Sequence, residues 1–197
     1  MQANRLQLIA LAVLVGILCA VGVLLWQTAG GGQGTTQTSL IGGNFSLVNQ
    51  DGKPITQANF LGKPTAYFFG YTNCPDACPT TLTDMTDRLK ALGPDGDKFN
   101  VVFITVDPAR DTPPLLKTYL ESFDPRITAA TGSPEQIADV IKKFRVYAKK
   151  VGDGDNYTFD HSTAVYLMDA QGNLVTLMDY QEPRDEAIAK MRRALTS

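Results

Sequence analysis

"PTAYFFGYTNCPDACPTTL", residues 64–82, decides the fold. Its first eight residues form an apolar, aromatic run of strand length, the pattern of a strand buried on both faces. Its second half turns polar. From residue 79 to 92, Leu82, Met85, Leu89 and Leu92 recur three and four apart, which predicts an amphipathic helix. Between strand and helix stand Cys74 and Cys78, each followed by a proline. If both sit near the first helical turn, a separation of four places them on one face. The start of a helix also carries free N–H groups and the positive end of its dipole, which favour thiolate.

The neighbouring segments fit around this unit. Residues 44–56, "NFSLVNQDGKPIT", read as a hairpin turning at Asp51-Gly52. Residues 100–107, "NVVFITVD", predict a second buried strand, and "PPLLKTYLESF" a second helix opened by Pro113 and Pro114. In "SPEQIADVIKKF", Ser133 caps a third helix, Pro134 takes its first position and Gln136 completes a capping box. "TAVYLMDAQGNLVTLMDY" reads as two strands around Gln171-Gly172-Asn173, and "RDEAIAKMRRALTS" as a closing helix. The order is hairpin, β-α-β, α, then β-β-α. This predicts an α/β chain of thioredoxin-like fold, a central mixed sheet flanked by helices.

Ahead of this domain, residues 8–26 carry no charge over 19 positions. At about 1.5 Å per residue such a helix nearly crosses a hydrocarbon core of about 30 Å, so an N-terminal transmembrane helix is expected. Arg5 precedes the run and no Lys or Arg follows until Lys53, which favours a cytoplasmic N-terminus. Gln27 and Ala29 make a poor cleavage site, so a retained anchor is expected over a signal peptide. Leu18 is too bulky for a lipoprotein pattern at Cys19. No Arg- and Ser-rich transit peptide is present, which favours a bacterial inner membrane with the C-terminal domain in the periplasm. "TAGGGQGTTQTS" follows as a flexible tether reaching roughly 15–20 Å. The expected organisation is 1–27 anchor, 28–39 linker and 40–197 folded domain. A formal net charge of -2 without a basic stripe argues against a nucleic-acid partner.

Three cysteines and one histidine, His161, concentrate the chemistry. Cys74 and Cys78 fit a structural disulfide, a redox dithiol or part of a metal site. So short a loop is stabilised least by a disulfide, which weakens the first reading. His161 precedes a predicted core strand, and in this fold that loop faces the cysteines. Two thiolates and an imidazole form a soft site suited to Cu(I); zinc accepts the same ligands with a water as the fourth. Asp107 and Asp111 in "VDPARDTP" read first as structural: Asp107 ends a strand, and Asp111 or Thr112 caps the next helix. "GDGDNYTFD" puts Thr158 where a calcium loop needs glycine, so it is not an EF-hand.

Taken together, "GYTNCPDACPTTL", "VFITVDPARDTP" and "FDHSTAVYLMD" resemble the Sco/SenC proteins, membrane-anchored copper chaperones of cytochrome c oxidase assembly. The resemblance runs from about residue 40 to the C-terminus. It implies that Cys74, Cys78 and His161 bind Cu(I) or Cu(II). It implies delivery of copper to the dinuclear copper centre of the oxidase, with the partners being the subunit that carries that centre and an upstream copper donor. Thiol reduction of that centre's cysteines by the Cys74–Cys78 dithiol is the associated activity. The competing expectation is a thiol-disulfide oxidoreductase or peroxiredoxin-like enzyme with no copper role, in which His161 is dispensable.

Overall fold

The hydrophobic pattern of two neighbouring strands sets the architecture. In β3 (Thr65–Gly70), Ala66 and Phe68 face one side of the sheet while Tyr67 and Phe69 face the other. In β4 (Asn100–Thr105), Val101 and Phe103 divide from Val102 and Ile104 in the same way. A sheet apolar on both faces must be covered on both. The computed structural model, which describes residues 14–17, 19–21, 23 and 41–197, shows that cover.

β1 (Ser46–Asn49) and β2 (Pro54–Thr56) form the expected hairpin, with Gly52 at a φ of +73° in its turn. α1 (Ala77–Ala91) follows β3, and α2 (Pro113–Leu120) follows β4. β5 (Ile127–Thr131) then runs parallel to β4, and α3 (Pro134–Phe144) follows with the predicted Ser133–Gln136 capping box. A separate antiparallel ribbon comprises β6 (Ala148–Val151) and β7 (Thr158–His161). β8 (Val165–Met168), β9 (Leu174–Met178) and α4 (Arg184–Leu195) close the chain. The main sheet has the order β2-β1-β5-β4-β3-β8-β9. It is mixed: β3, β4 and β5 are parallel, and the outer pairings are antiparallel.

Leu82, Met85 and Leu89 of α1, Leu116 of α2 and Met191 of α4 fill the core on one face. Ile137, Val140 and Phe144 of α3 fill it on the other, with Phe45 and Phe60. The α/β class with a central mixed sheet flanked by helices is therefore as the sequence predicts. Two local expectations are corrected. The chain does not pass directly from α2 to α3, because β5 intervenes and enters the sheet beside β4. The approach to His161 is not a loop but the β6–β7 ribbon, whose second strand ends at His161. Of the two N-cap candidates for α2, Thr112 takes the position, and it makes no side-chain capping bond.

The run 8–26 lies mostly outside the described residues, as do the linker and its boundaries. Residues 14–17, 19–21 and 23 are helical. Among the described residues no helix is long and apolar enough to cross a membrane.

Candidate metal centre

Cys74 lies in the turn between β3 and α1, where its N–H donates to the Tyr71 carbonyl at 3.2 Å. Cys78 is the second residue of α1 and is fully buried. The two cysteines therefore do not share a helix face. Cys74 comes from the turn ahead of α1 and Cys78 from its first turn, and their sulfurs still lie within 4.8 Å of each other. His161 ends β7. Its ring packs edge-on to Tyr71 at 5.7 Å between centroids and to Phe68 at 6.4 Å. Cys74 Sγ, Cys78 Sγ and a ring nitrogen of His161 all lie within 4.8 Å of one another. All three predicted site residues meet, although 83 positions separate Cys78 from His161.

The second nitrogen of His161 fixes its tautomer. Nδ1 stands 2.9 Å from the Ser162 carbonyl oxygen, which can only accept. Nδ1 therefore carries the proton, and the lone pair of Nε2 points toward Cys78 Sγ at 3.6 Å. Anchoring the far nitrogen in this way orients an imidazole for ligation.

Cys74 and Cys78 are free thiols. They share one proton unequally. The Cys78 thiol donates to the Cys74 sulfur and lowers its pKa to about 4, and backbone N–H groups at the start of α1 act in the same direction. Cys78 is pushed up, first because it keeps that proton beside the Cys74 thiolate and second by burial. The pair presents one thiolate ready to attack or ligate and a second sulfur that must lose its proton before binding metal.

Gly70, at the end of β3, was not singled out in the sequence. A Cβ there would lie 2.5 Å from Cys78 Sγ and 2.9 Å from Phe103 Cε2, so the Cys78 sulfur occupies the space a side chain would take. A glycine inside a strand pattern is the signal that marks such close approach. Asp107 and Asp111, each 1% exposed, supply no donor atom to the cluster.

The donor set decides which cargo fits. Two sulfurs and an imidazole, with no carboxylate among them, suit Cu(I), Cu(II) or Zn(II) and disfavour the oxygen-seeking Ca²⁺ and Mg²⁺. Cys74 and His161 open onto a cavity of about 470 Å³, lined also by Tyr71, Pro75, Tyr147 and Phe159. An incoming ligand can reach the centre from that side.

Comparison with known proteins agrees. The family model described as SCO1/SenC matches residues 33–196. The SCO2-like protein of Rickettsia conorii is 45% identical over 135 residues, covering 67% of this chain and 66% of that protein. The match thus spans just under two thirds of that relative's length. ScoI of Bradyrhizobium japonicum, solved with copper bound, is 49% identical with a TM-score of 0.73, over 79% of this chain and 99% of that one. Yeast Sco1, also solved with copper bound, is 37% identical with a TM-score of 0.73, over 80% and 89%.

Proposed function

The chain belongs to the SCO1/SenC family, and from that premise we propose that it is a membrane-anchored copper chaperone for cytochrome c oxidase. Copper is its cargo. Cys74, Cys78 and His161 are the ligands, and residues 40–197 form the domain that carries them. Residues 1–27 hold that domain at the periplasmic face of the inner membrane, with residues 28–39 as its tether. The observation that carries the reading is the convergence of the three ligand atoms within 4.8 Å at the mouth of an open cavity. Copper-bound relatives of the same fold support it.

A three-ligand centre suits a carrier. A closed four-ligand cage holds metal statically, whereas a free side admits a competing ligand and lets transfer proceed by exchange. An upstream donor surrenders Cu(I) as Cys74 and Cys78 bind it and Cys78 gives up its proton. The oxidase subunit that carries the dinuclear copper centre then takes the metal through its own cysteines.

The lowered pKa of Cys74 favours a second activity at the same site. Cys74 thiolate attacks a partner disulfide and forms a mixed disulfide while one partner sulfur leaves as thiolate. Cys78 then loses its proton and displaces the second partner sulfur, closing a Cys74–Cys78 disulfide. Two electrons pass to the partner, whose two cysteines are left reduced and able to bind copper.

The test is transfer. Copper-loaded protein mixed with the metal-free copper-centre domain of the oxidase should lose its bound copper as the absorption of the dinuclear centre appears. Retention of copper by the chain, with no centre formed after the acceptor has been reduced chemically, would contradict the delivery reading.

A further inference from the structure

The segment between β4 and α2, residues 106–112, supplies no ligand, yet it bonds to the chain just ahead of two ligands, at Thr72 before Cys74 and at Tyr157 before His161. The buried Asp111 carboxylate accepts three hydrogen bonds. They come from the Thr72 N–H at 3.0 Å, the Thr72 hydroxyl at 2.6 Å and the Thr105 hydroxyl at 2.5 Å. Thr72 stands two residues before Cys74. The equally buried Asp107 accepts the Tyr157 hydroxyl at 2.8 Å and pairs with Arg110 Nε. Arg110 Nη1 donates to the Tyr157 carbonyl at 3.0 Å, and its guanidinium lies 3.7 Å from the centre of the Tyr157 ring. Tyr157 leads directly into β7, the strand that ends at His161.

One hydroxyl joins the two arms. Thr105 Oγ1 donates to Asp111 and accepts the Asp107 N–H at 2.9 Å. The Asp111 N–H in turn donates to the Asp107 carbonyl at 2.9 Å.

Both ligand-bearing segments need such a hold. The β6–β7 ribbon pairs with no strand of the main sheet, and a lone two-stranded ribbon is marginal in water. Asp76, at the N-cap of α1, makes no capping bond that would fix the Cys74 turn. Hydrogen bonds to a buried charge are shorter and stronger than neutral ones, so a few of them suffice to fix a loop.

We propose that residues 106–112 form a two-armed clamp that sets the distance between the thiol pair and the imidazole. Asp111 with Thr72 positions the Cys74 turn. Arg110 with Asp107 and Tyr157 positions the ribbon carrying His161. None of them is a ligand, and the arms act on different ligands. The inference rests on the reading of Cys74, Cys78 and His161 as the copper site.

The experiment uses the full-length chain, first metal-free. His161 is the only histidine, so its ring gives a single set of imidazole signals in a proton NMR spectrum. Tyr157→Phe should shift and broaden those signals and leave the alkylation rate of Cys74 unchanged. Thr72→Val should speed alkylation of Cys74 and leave the His161 signals in place, while Thr72→Ser, which keeps the hydroxyl, restores the wild-type rate. Should Tyr157→Phe fail to fold, Arg110→Lys reads the same arm, because it keeps the charge but loses the fork that spans Asp107 and the Tyr157 carbonyl.

Copper binding repeats the split. Thr72→Val should weaken Cu(I) binding about tenfold, the equivalent of one lost hydrogen bond to a charged group. Tyr157→Phe should alter the Cu(II) absorption and leave Cu(I) affinity within about twofold of wild type, since both thiolates remain in place. If wild-type protein binds copper but either arm moves both readouts together, or moves neither, the clamp is refuted and the copper site stands. If wild-type protein binds no copper, both readings fall.

Discussion

Gly70→Ala places the first carbon of a side chain where the Cys78 sulfur now sits. The built Cβ lies 2.5 Å from Cys78 Sγ, 2.9 Å from Phe103 Cε2 and 3.3 Å from Phe68 Cε1. Ordinary contact between such atoms is about 3.5 Å, so sulfur and methyl must separate by about 1 Å. The phenyl rings cannot absorb that shift, because Phe68 and Phe103 are themselves fully buried. The sulfur moves instead, since its side chain has one free torsion. Metal–sulfur distances tolerate about 0.2 Å, so a displacement several times larger removes Cys78 from the ligand set. Overpacking costs typically about 1–3 kcal/mol, and each kcal/mol lowers the melting temperature of a domain this size by about 2–4 °C. The metal-free variant should melt about 2–12 °C below wild type and bind Cu(I) at least about a hundredfold more weakly. Competition against a Cu(I) chelator and thermal unfolding of the metal-free chain read the two effects. Wild-type affinity together with an unchanged melting temperature would refute the placement of Cys78 against Gly70.

Three further outcomes follow from the same geometry. Alkylation of Cys74 should stay nearly flat with rising pH above about 5, because its thiolate persists down to about pH 4; a rate climbing tenfold per unit up to about pH 8, as for an ordinary thiol, contradicts the proton sharing. Mild oxidation of metal-free protein should pair Cys74 with Cys78 and leave Cys19 alkylatable, and peptide mass mapping that finds Cys19 in a bridge counts against the site. Asp124 is held below the usual carboxylate range chiefly by hydrogen bonds from Arg126, at 2.8 and 2.7 Å. A depressed folded pKa gives stability that is full above the unfolded value of about 3.9 and is lost as pH falls through the folded one. Arg126→Gln should therefore cost about 0.5–1 kcal/mol at neutral pH, with the gap closing below about pH 4 in denaturant titrations; a gap that widens in acid reverses the sign.

The parts of this molecule that were legible in the sequence are those where burial or rarity leaves a mark. β3 and β4 are buried on both faces and read as unbroken apolar runs. Ser133 and Gln136 announce the start of α3 because capping is a local interaction. The ligands stood out because the chain has three cysteines and one histidine. β5 escaped because "ITAAT" is short and rich in alanine, a poor strand former. The sheet accepts it all the same: Ala129 and Ala130 are fully buried between β4 and β1. The ribbon escaped for the opposite reason, since "AKKV" is largely exposed and carries no core periodicity. Asp111 stands one residue ahead of the N-cap of α2, and its carboxylate turns inward to Thr72, 39 positions earlier in the chain, a partner that no local pattern encodes.

Copper stoichiometry and spectrum in four proteins test the central claim most directly: wild type, Cys74→Ser, Cys78→Ser and His161→Ala. Each full-length chain is loaded with Cu(I) or Cu(II), and the bound metal, the Cu(I) affinity and the thiolate-to-Cu(II) charge-transfer absorption are measured. Wild type should bind one copper per chain. Either serine variant should lose tight Cu(I) binding, because each removes one of only two thiolates. His161→Ala should keep much of its Cu(I) affinity and lose the Cu(II) absorption, because Cu(II) gains more from nitrogen ligation. A His161→Ala protein that matches wild type in both readings, and still exchanges disulfides, would make the site a thiol oxidoreductase and contradict the copper assignment.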